Sequence, residues 1–349
     1  FSCKKKYYLN NDIFNTNYSV IELNNYNYIL NDTLVVPYGK KLIIKNNIEL
    51  SVNKKNSLII NNGSLVIGEN IDSLNLSFYK NKSIFFDGVK IISKIENSDF
   101  NIINNSILKI NNAFLKNILI NSNSGDFIIN NSIIEDCFLS ILKNKLVIKN
   151  SIINNNLKTF LIDSCNNFIL NNCIVFNSES LFFFKKNKSI KFLNNIFLEN
   201  NNSIKFSNDN LNFSFFNNLV IKNYNFINSI SNDNLNYYLI NNTFDNNNII
   251  LNINNNINYN KSILSKNNIF YNNINLFQLN NININNNYCI SNNLKLNGYY
   301  NLLDDPLFTD IDNFNYNLNN NSPALGLGVN NINTGANINN IYIIKYLKY

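Results

Sequence analysis

The sequence predicts an all-β chain wound as a single-stranded parallel β-helix, a solenoid with about 20–25 residues per coil. One observation is a repeated motif: an asparagine, usually preceded by another, then one short residue and large apolar ones. It reads Asn131-Ser132-Ile133-Ile134, Asn150-Ser151-Ile152-Ile153, Asn172-Cys173-Ile174-Val175 and Asn195-Ile196-Phe197-Leu198. It continues as Asn218-Leu219-Val220-Ile221, Asn242-Thr243-Phe244, Asn268-Ile269-Phe270 and, more loosely, Asn287-Tyr288-Cys289-Ile290. The steps are 19, 22, 23, 23, 24, 26 and 19 residues. A second observation is run length. The apolar runs are short and punctuated by Asn, Gly, Lys and Ser, which suits strands and not helices. The third is that Ile, Leu, Val and Phe keep this rhythm although asparagine is the commonest residue. A disordered asparagine-rich insert would not keep it.

Residues 1–29 read as a polar, tyrosine-rich tether and cap, since the first coil of a solenoid otherwise exposes pairing edges. The coils begin near residue 30. Thr33 to Ile44 reads as strand, turn, strand, with Pro37 presetting one turn dihedral and Gly39 accepting a positive φ. Short strands follow at Ile48 to Val52, Leu58 to Ile60, Gly63 to Gly68 and Ser83 to Phe86. The pattern continues through Val89 to Ile92, Phe100 to Ile103, Ile107 to Ile110 and Phe114 to Ile120.

The ladder Asn131, Asn150, Asn172, Asn195, Asn218, Asn242 and Asn268 then reads as one structural column of turns. Asparagine tolerates the left-handed conformation, and stacked amides can bond along the axis. The apolar residues after each turn are expected to alternate inward and build core columns. Coils extend over 30–300, and 301–349 forms a capping coil.

Val36-Pro37-Tyr38-Gly39-Lys40-Lys41-Leu42-Ile43-Ile44 and Gly63-Ser64-Leu65-Val66-Ile67-Gly68 resemble the opening coils of right-handed parallel β-helix proteins of the pectate-lyase-like superfamily. The resemblance covers roughly residues 30–90 and implies a right-handed helix. Asp304-Asp305-Pro306-Leu307-Phe308, Asn315-Tyr316-Asn317-Leu318 and Ser322-Pro323-Ala324-Leu325-Gly326-Leu327-Gly328 resemble the tail that finishes the last coil of many bacterial proteins of this fold. Where that tail ends in Asp-x-Gly-Ala, this chain has Asn333-Thr334-Gly335-Ala336.

The resemblance brings polysaccharide lyases and hydrolases into view, and the composition tests them. The chain has no His, and all 29 of its basic residues are Lys, so there is no Arg. The arginine base of the similar lyases and the histidine of the similar hydrolases are both missing. A lysine base beside calcium held by Asp and Glu remains as a variant. It needs carboxylates at one offset on adjacent coils. Glu135-Asp136 and Glu199 share an offset but stand three coils apart, and Asp163, Glu179 and Asp245 take others. Asp304, Asp305, Asp310 and Asp312 are the candidate calcium ligands, with a structural role as the plainer alternative. No other cofactor is expected.

The remaining signals concern partners and place. The net charge of +7 and pI near 8.9 come from lysines scattered along the chain, apart from Lys4-Lys5-Lys6 and Lys185-Lys186, and match A/T-rich codon usage. Nucleic-acid binding is not expected without clustered phosphate and base readers. Phe1-Ser2-Cys3-Lys4 resembles the end of a bacterial lipoprotein signal, which implies lipid attachment at Cys3. Cys137, Cys165, Cys173 and Cys289 show no CxxC or Cys/His spacing, so no zinc site is expected, and spacing assigns no disulfide. No run of about eighteen apolar residues suggests a membrane helix.

Tyr237, Tyr238, Tyr299 and Tyr300 are candidate glycan contacts, because neighbours in a strand alternate faces and at least one of each pair points outward if they lie in strands. Phe182-Phe183-Phe184 reads as a core column with one outlying ring. The function that fits is a non-catalytic, lipid-anchored protein of the bacterial cell envelope. It would sit on the outer membrane, in the periplasm or at the cell surface, as a scaffold or a glycan- or protein-binding surface. The alternatives are a polysaccharide-active lyase or glycosidase and an adhesin-like surface protein.

Overall fold

Short apolar runs closed by residues that accept a positive φ fold here as stacked parallel strands. A computed structural model describes residues 6–23, 27–30, 34–37, 40–44, 49–52, 58–61, 64–66, 74–78, 83–87, 90–92, 98–103, 107–111, 114–116, 118–122, 126–143, 145–157, 159–207, 211–229, 235–253, 262–279 and 284–338. The contacts divide the chain into two units, Phe1–Asn166 and Asn167–Tyr349. Each is a parallel β-solenoid. A full coil places one strand on each of three faces, called I, II and III in chain order.

In the first unit, Lys6–Leu9, Asn27–Leu30 and Glu49–Val52 form one parallel sheet, and Val20–Leu23, Lys41–Ile44 and Ser64–Val66 another. A 3-10 turn, Asn11–Phe14, sits between the first strands, capped by the Asn10 side chain and buried through Phe14. Lys40 N donates to Pro37 O at 3.2 Å, which closes the turn expected there. Tyr38, Gly39, Gly63 and Gly68 of the opening motifs lie outside the described residues, as does Cys3. Further on, face I holds Ser83–Asp87, Ile107–Asn111, Asp126–Asn130 and Lys145–Lys149. Face II holds Lys90–Ile92, Phe114–Lys116, Ile133–Glu135 and Ile152–Asn154. Face III runs in parallel from Leu34–Val36 to Phe160–Asp163.

In the second unit, face I comprises Asn167–Asn171, Ser189–Leu193, Leu211–Phe216, Leu235–Ile240, Ser262–Lys266 and Ile284–Asn287. Face II comprises Ile174–Phe176, Ile196–Leu198, Leu219–Ile221, Thr243–Asp245, Ile269–Tyr271, Ile290–Ser291 and Leu302–Leu303. Face III comprises Phe182–Lys185, Ile204–Ser207, Asn225–Ser229, Ile249–Ile253 and Asn275–Leu279. The interior is aromatic. Phe168, Phe182, Phe184, Phe192, Phe197, Phe206, Phe213 and Phe215 are fully buried, and rings on successive coils stack, as Phe244 on Phe270 at 5.4 Å and 7°.

The asparagines do not form the single column expected. They form an outer and an inner position at one corner. Asn131, Asn150 and Asn172 have φ near +50° and are exposed. Their counterparts in later coils are Asn194, Asn217, Asn241 and Asn267, also left-handed, because Ile174 pairs with Ile196. Asn195, Asn218, Asn242 and Asn268 sit one residue further on, with buried side chains. Ser132, Ser151, Cys173 and Cys289 take that inner position elsewhere. The expected column therefore slips by one residue between Asn172 and Asn195.

The inner amides bond as a chain. The Oδ1 atoms of Asn218, Asn242 and Asn268 each accept from both the main-chain N–H and the Nδ2 of the asparagine one coil before. The Nδ2 distances are 3.0 Å for Asn195 to Asn218, 3.1 Å for Asn218 to Asn242 and 3.0 Å for Asn242 to Asn268. Nδ2 also donates to a carbonyl of the preceding coil, such as Phe192 O from Asn218 at 3.0 Å. Every buried polar atom of Asn218 is thereby partnered, which low dielectric demands.

A second inner ladder stands at the corner between faces II and III. Asn200 donates to Asn223 at 3.1 Å, Asn223 to Asn247 at 3.2 Å and Asn247 to Asn273 at 3.0 Å. Asn156 begins the same role in the first unit, accepting from Cys137 N at 2.8 Å. The residue before each rung is again left-handed: Asp136, Asn155, Asn177, Glu199, Lys222, Asn246 and Asn272.

After Leu303 the chain leaves the coil. Phe308–Asp310 and Asn315–Leu318 form an antiparallel hairpin, and the chain then returns along the outside of face II against coil order. Gly335 N donates to Asn267 O at 2.9 Å, Ala336 N to Thr243 Oγ1 at 2.9 Å and Asn337 N to Asn217 Oδ1 at 2.6 Å. Gly335 has φ +97°, and a Cβ there would stand 2.5 Å from Ile269 Cδ1, so only glycine lets the segment lie this close. Asn333, where similar tails carry Asp, accepts from Gly326 N at 3.1 Å. A neutral amide oxygen suffices for that bond.

Candidate functional site

Face II of the second unit carries chemistry that a solvent-facing strand would not. Its middle residues Val175, Phe197, Val220, Phe244 and Phe270 point to the core, yet the flanking Ile196, Leu198, Leu219, Ile221, Thr243, Asp245 and Ile269 are buried too. On the coils of Thr243, Asp245 and Ile269 the returning segment covers this face. Ala324 packs on Ile269 and Ile290, with Phe308, Leu318 and Leu327 beside them. The expectation that residues after each turn alternate with solvent therefore fails on this face.

Asp245 lies under that cover. Tyr316 Oη donates to its Oδ2 at 2.5 Å, and Phe308 packs edge-on to both Tyr316 and Tyr271. Burial pushes the Asp245 carboxyl above its ordinary value, and the Tyr316 bond and the Lys222 charge only partly oppose this. Burial, then the charge of Asp245, pushes the Tyr316 phenol far up, so Tyr316 is the proton donor of the pair.

The sign of the resulting pH dependence follows. A folded pKa above the unfolded one means the folded state holds more protons between the two, so Asp245's contribution falls as pH rises through that window. Asp245→Asn keeps an acceptor for Tyr316 without the charge. We expect it to be more stable than the parent at pH 7, with the advantage vanishing as pH falls to about 4. Urea titrations of both proteins from pH 3 to pH 8 check this, and a pH-independent difference would refute it.

The carboxylates considered for catalysis are dispersed. Asp136 and Glu199 are left-handed corner residues, while Glu135 lies in a face II strand in register with Asn154. Glu199 forms an ion pair with Lys222 at 3.9 Å, both half-exposed. Asp163 ends a face III strand, and Glu179 makes a lone bridge with Asn201. Among the described residues, no three His, Cys, Asp or Glu side chains gather to hold one ion.

Asp304, Asp305, Asp310 and Asp312 accordingly do not converge. Asp304 accepts from Asp305 N at 2.8 Å, Asp305 from Leu307 N at 2.8 Å and Asp310 from Asn313 Nδ2 at 2.8 Å. These are bonds that shape turns. Cys137, Cys165, Cys173 and Cys289 are buried. Burial pushes the Cys289 thiol up to about 11, which keeps it protonated and a poor nucleophile near neutral pH. No helix among the described residues is long and apolar enough to cross a membrane.

The four tyrosines separate. Tyr237 is fully buried between Phe206 and Phe213 and offers no surface. Its hydroxyl makes no hydrogen bond of good geometry, although Ser229 is its polar neighbour. Tyr237→Phe is expected to raise the unfolding free energy by about 1 kcal/mol, since an unsatisfied buried hydroxyl carries a desolvation cost. Guanidinium titration measures it, and a comparable loss would show that the hydroxyl is well bonded. Tyr238 is half-buried on the outer side of face I. Tyr299 and Tyr300 are exposed at the last rung, where Tyr300 stacks on Tyr288.

Two outward rows run along the second unit in register. At the corner between faces II and III stand Asn177, Glu199, Lys222, Asn246 and Asn272, all exposed. Each but the last donates its main-chain N–H to the end of the next face II strand, as Glu199 N to Ile221 O at 3.0 Å. Beside them on face III, Phe183, Lys205, Asn228, Asn252 and Gln278 align coil by coil. The Lys205 ammonium lies 5.6 Å from the centre of the Phe183 ring. A comparison of the chain with protein-family models, with curated proteins and with solved structures found no match.

Proposed function

We propose that the chain is a non-catalytic, lipid-anchored bacterial cell-envelope protein of the pectate-lyase-like β-helix kind, offering its flank as a binding surface for glycan or protein. The observation that carries this reading is the pair of outward rows just described. Parallel coils repeat every ~4.8 Å, so an extended polymer lying along the stack meets an uncharged amide or a lysine at every step. The family assignment rests on the opening-coil and tail motifs, and the anchor on Cys3 following Ser2.

Two measurements test the reading. Expressed from its native gene, the protein is expected to take up labelled fatty acid and partition with membranes, and Cys3→Ala to do neither. An unlabelled, soluble parent would sink the anchor. In a screen of acidic and neutral polysaccharides, with and without calcium, binding without product is expected. Calcium-dependent unsaturated product would replace the reading with a lyase.

A further inference from the structure

At the corner between faces I and II, the left-handed rung is asparagine in every coil of the second unit from Asn172 to Asn267. The last two rungs are Tyr288 and Tyr300, at φ +55° and +57°. A bulky residue at positive φ is an outlier, and strain of this kind marks sites where the side chain is needed. Asparagine would fit both places better.

The surroundings hold these rings fixed. Gly298, at φ +117°, brings its loop flush against the coil, where a Cβ would collide with Asn286 O. Tyr288 N donates to Tyr299 O at 3.0 Å, and Tyr299 N to Asn287 Oδ1 at 3.0 Å. Asn301 closes the inner ladder behind them, accepting from Cys289 N at 3.0 Å and donating to Asn286 O at 2.7 Å. Tyr288 and Tyr300 stack with centroids 4.8 Å apart and planes 17° apart. Tyr300 is nonetheless 69% exposed and Tyr299 72%. Among the described residues, Tyr288 is the one ring stacked on Tyr300, so the stack ends in an open aromatic face.

We infer that this open face is a carbohydrate subsite, in which a neutral pyranose ring takes the next place in the column. The inference deepens the binding-surface reading and rests on it. A sugar's apolar C–H face suits a tyrosine ring, and its hydroxyls suit phenol tips and uncharged amides such as the exposed Asn285 and Asn297. A nucleobase would stack as well, but its phosphates want a basic groove. The chain has no Arg, and Asp304 and Asp305 follow the platform closely.

The test is binding of neutral hexasaccharides, β-1,4-linked glucose, β-1,4-linked N-acetylglucosamine and α-1,4-linked glucose, by calorimetry and tyrosine emission. The chain has no Trp to mask that emission. Tyr300→Phe should bind within about twofold of the parent, and Tyr300→Asn about tenfold more weakly. Tyr300→Asn restores the residue of the other rungs, so its melting temperature should equal or exceed the parent's, which separates lost binding from lost folding. If the parent binds a sugar and Tyr300→Asn binds it equally well, the subsite is wrong while the binding-surface reading stands. If the parent binds none of the three but binds another polysaccharide or a protein, the neutral-sugar subsite fails alone. If it binds nothing, both fail. Binding of oligonucleotide in place of sugar overturns the ligand class.

Discussion

Asn218→Ala is expected to lower the unfolding free energy by about 3–4 kcal/mol, because it leaves several buried polar groups without partners at once. Asn218 Oδ1 is the acceptor for Asn195 N at 2.9 Å and for Asn195 Nδ2 at 3.0 Å. Its Nδ2, with two hydrogens, has three acceptors to share them, Phe192 O, Phe216 O and Asn242 Oδ1 at 3.0, 3.0 and 3.1 Å. No water reaches these groups to replace the amide, since Asn195, Asn218 and Asn242 are all fully buried. The matched control is Asn194→Ala, at the exposed outer position with φ +55°. It forfeits the left-handed tolerance of asparagine, about 1 kcal/mol. Urea titration of both variants decides the matter, and equal losses would mean that the inner amides carry no special share of the stability.

The contrast between those two neighbours also explains what could be read from the chain. The parallel solenoid was legible because strand length, turn residue and period agree in every coil. Its fine register was not. Where two asparagines adjoin, as in Asn194-Asn195, sequence does not say which turns the backbone and which enters the core. In Asn130-Asn131-Ser132 and Asn171-Asn172-Cys173 the second asparagine is the outer residue, and serine or cysteine is the inner one. Taking the asparagine as equivalent throughout moves the column by one residue.

The second ladder went unread for a related reason. Its outer residue varies among Asp136, Asn177, Glu199 and Lys222, so no repeated pair announces it. A signal did exist: Asn200, Asn223, Asn247 and Asn273 each follow an inner asparagine of the first ladder by five residues. The covered flank had its own mark. Ile196-Phe197-Leu198 and Leu219-Val220-Ile221 do not alternate with polar residues, as strands buried on both sides do not. On the later coils of the same face the cover is set by hydrogen bonds over long separations, such as Tyr316 to Asp245, 71 residues apart. Local pattern carries no trace of such a contact. The tyrosine pair at the last rung divides the same way. Strand alternation asks for at least one outward ring from Tyr299 and Tyr300, but they lie in no strand, and the stacking of Tyr300 on Tyr288 depends on a rung only 12 residues long, fixed by Cys289 and Asn301.

Phe192→Ala should be as severe, at about 3–5 kcal/mol, by a different mechanism. Phe192 is fully buried and central to the aromatic interior. Its ring centre lies 5.4 to 6.1 Å from those of Phe168, Phe182, Phe184, Phe197, Phe213 and Phe215. Those neighbours belong to coils whose main chains are fixed by parallel pairing on each side, so they cannot close on the space the ring leaves. The cost is then the lost transfer free energy, the cavity and the two edge-to-face contacts with Phe182 and Phe184 together. Phe183→Ala supplies the comparison within the same aromatic run. Phe183 points outward, half-buried beneath Lys205, and its removal should cost about 1 kcal/mol or less. Polar substitution sharpens the distinction, because Phe183→Ser should fold and Phe192→Ser should not. Equal sensitivity at the two positions would mean that face III is covered on its outer side as face II is.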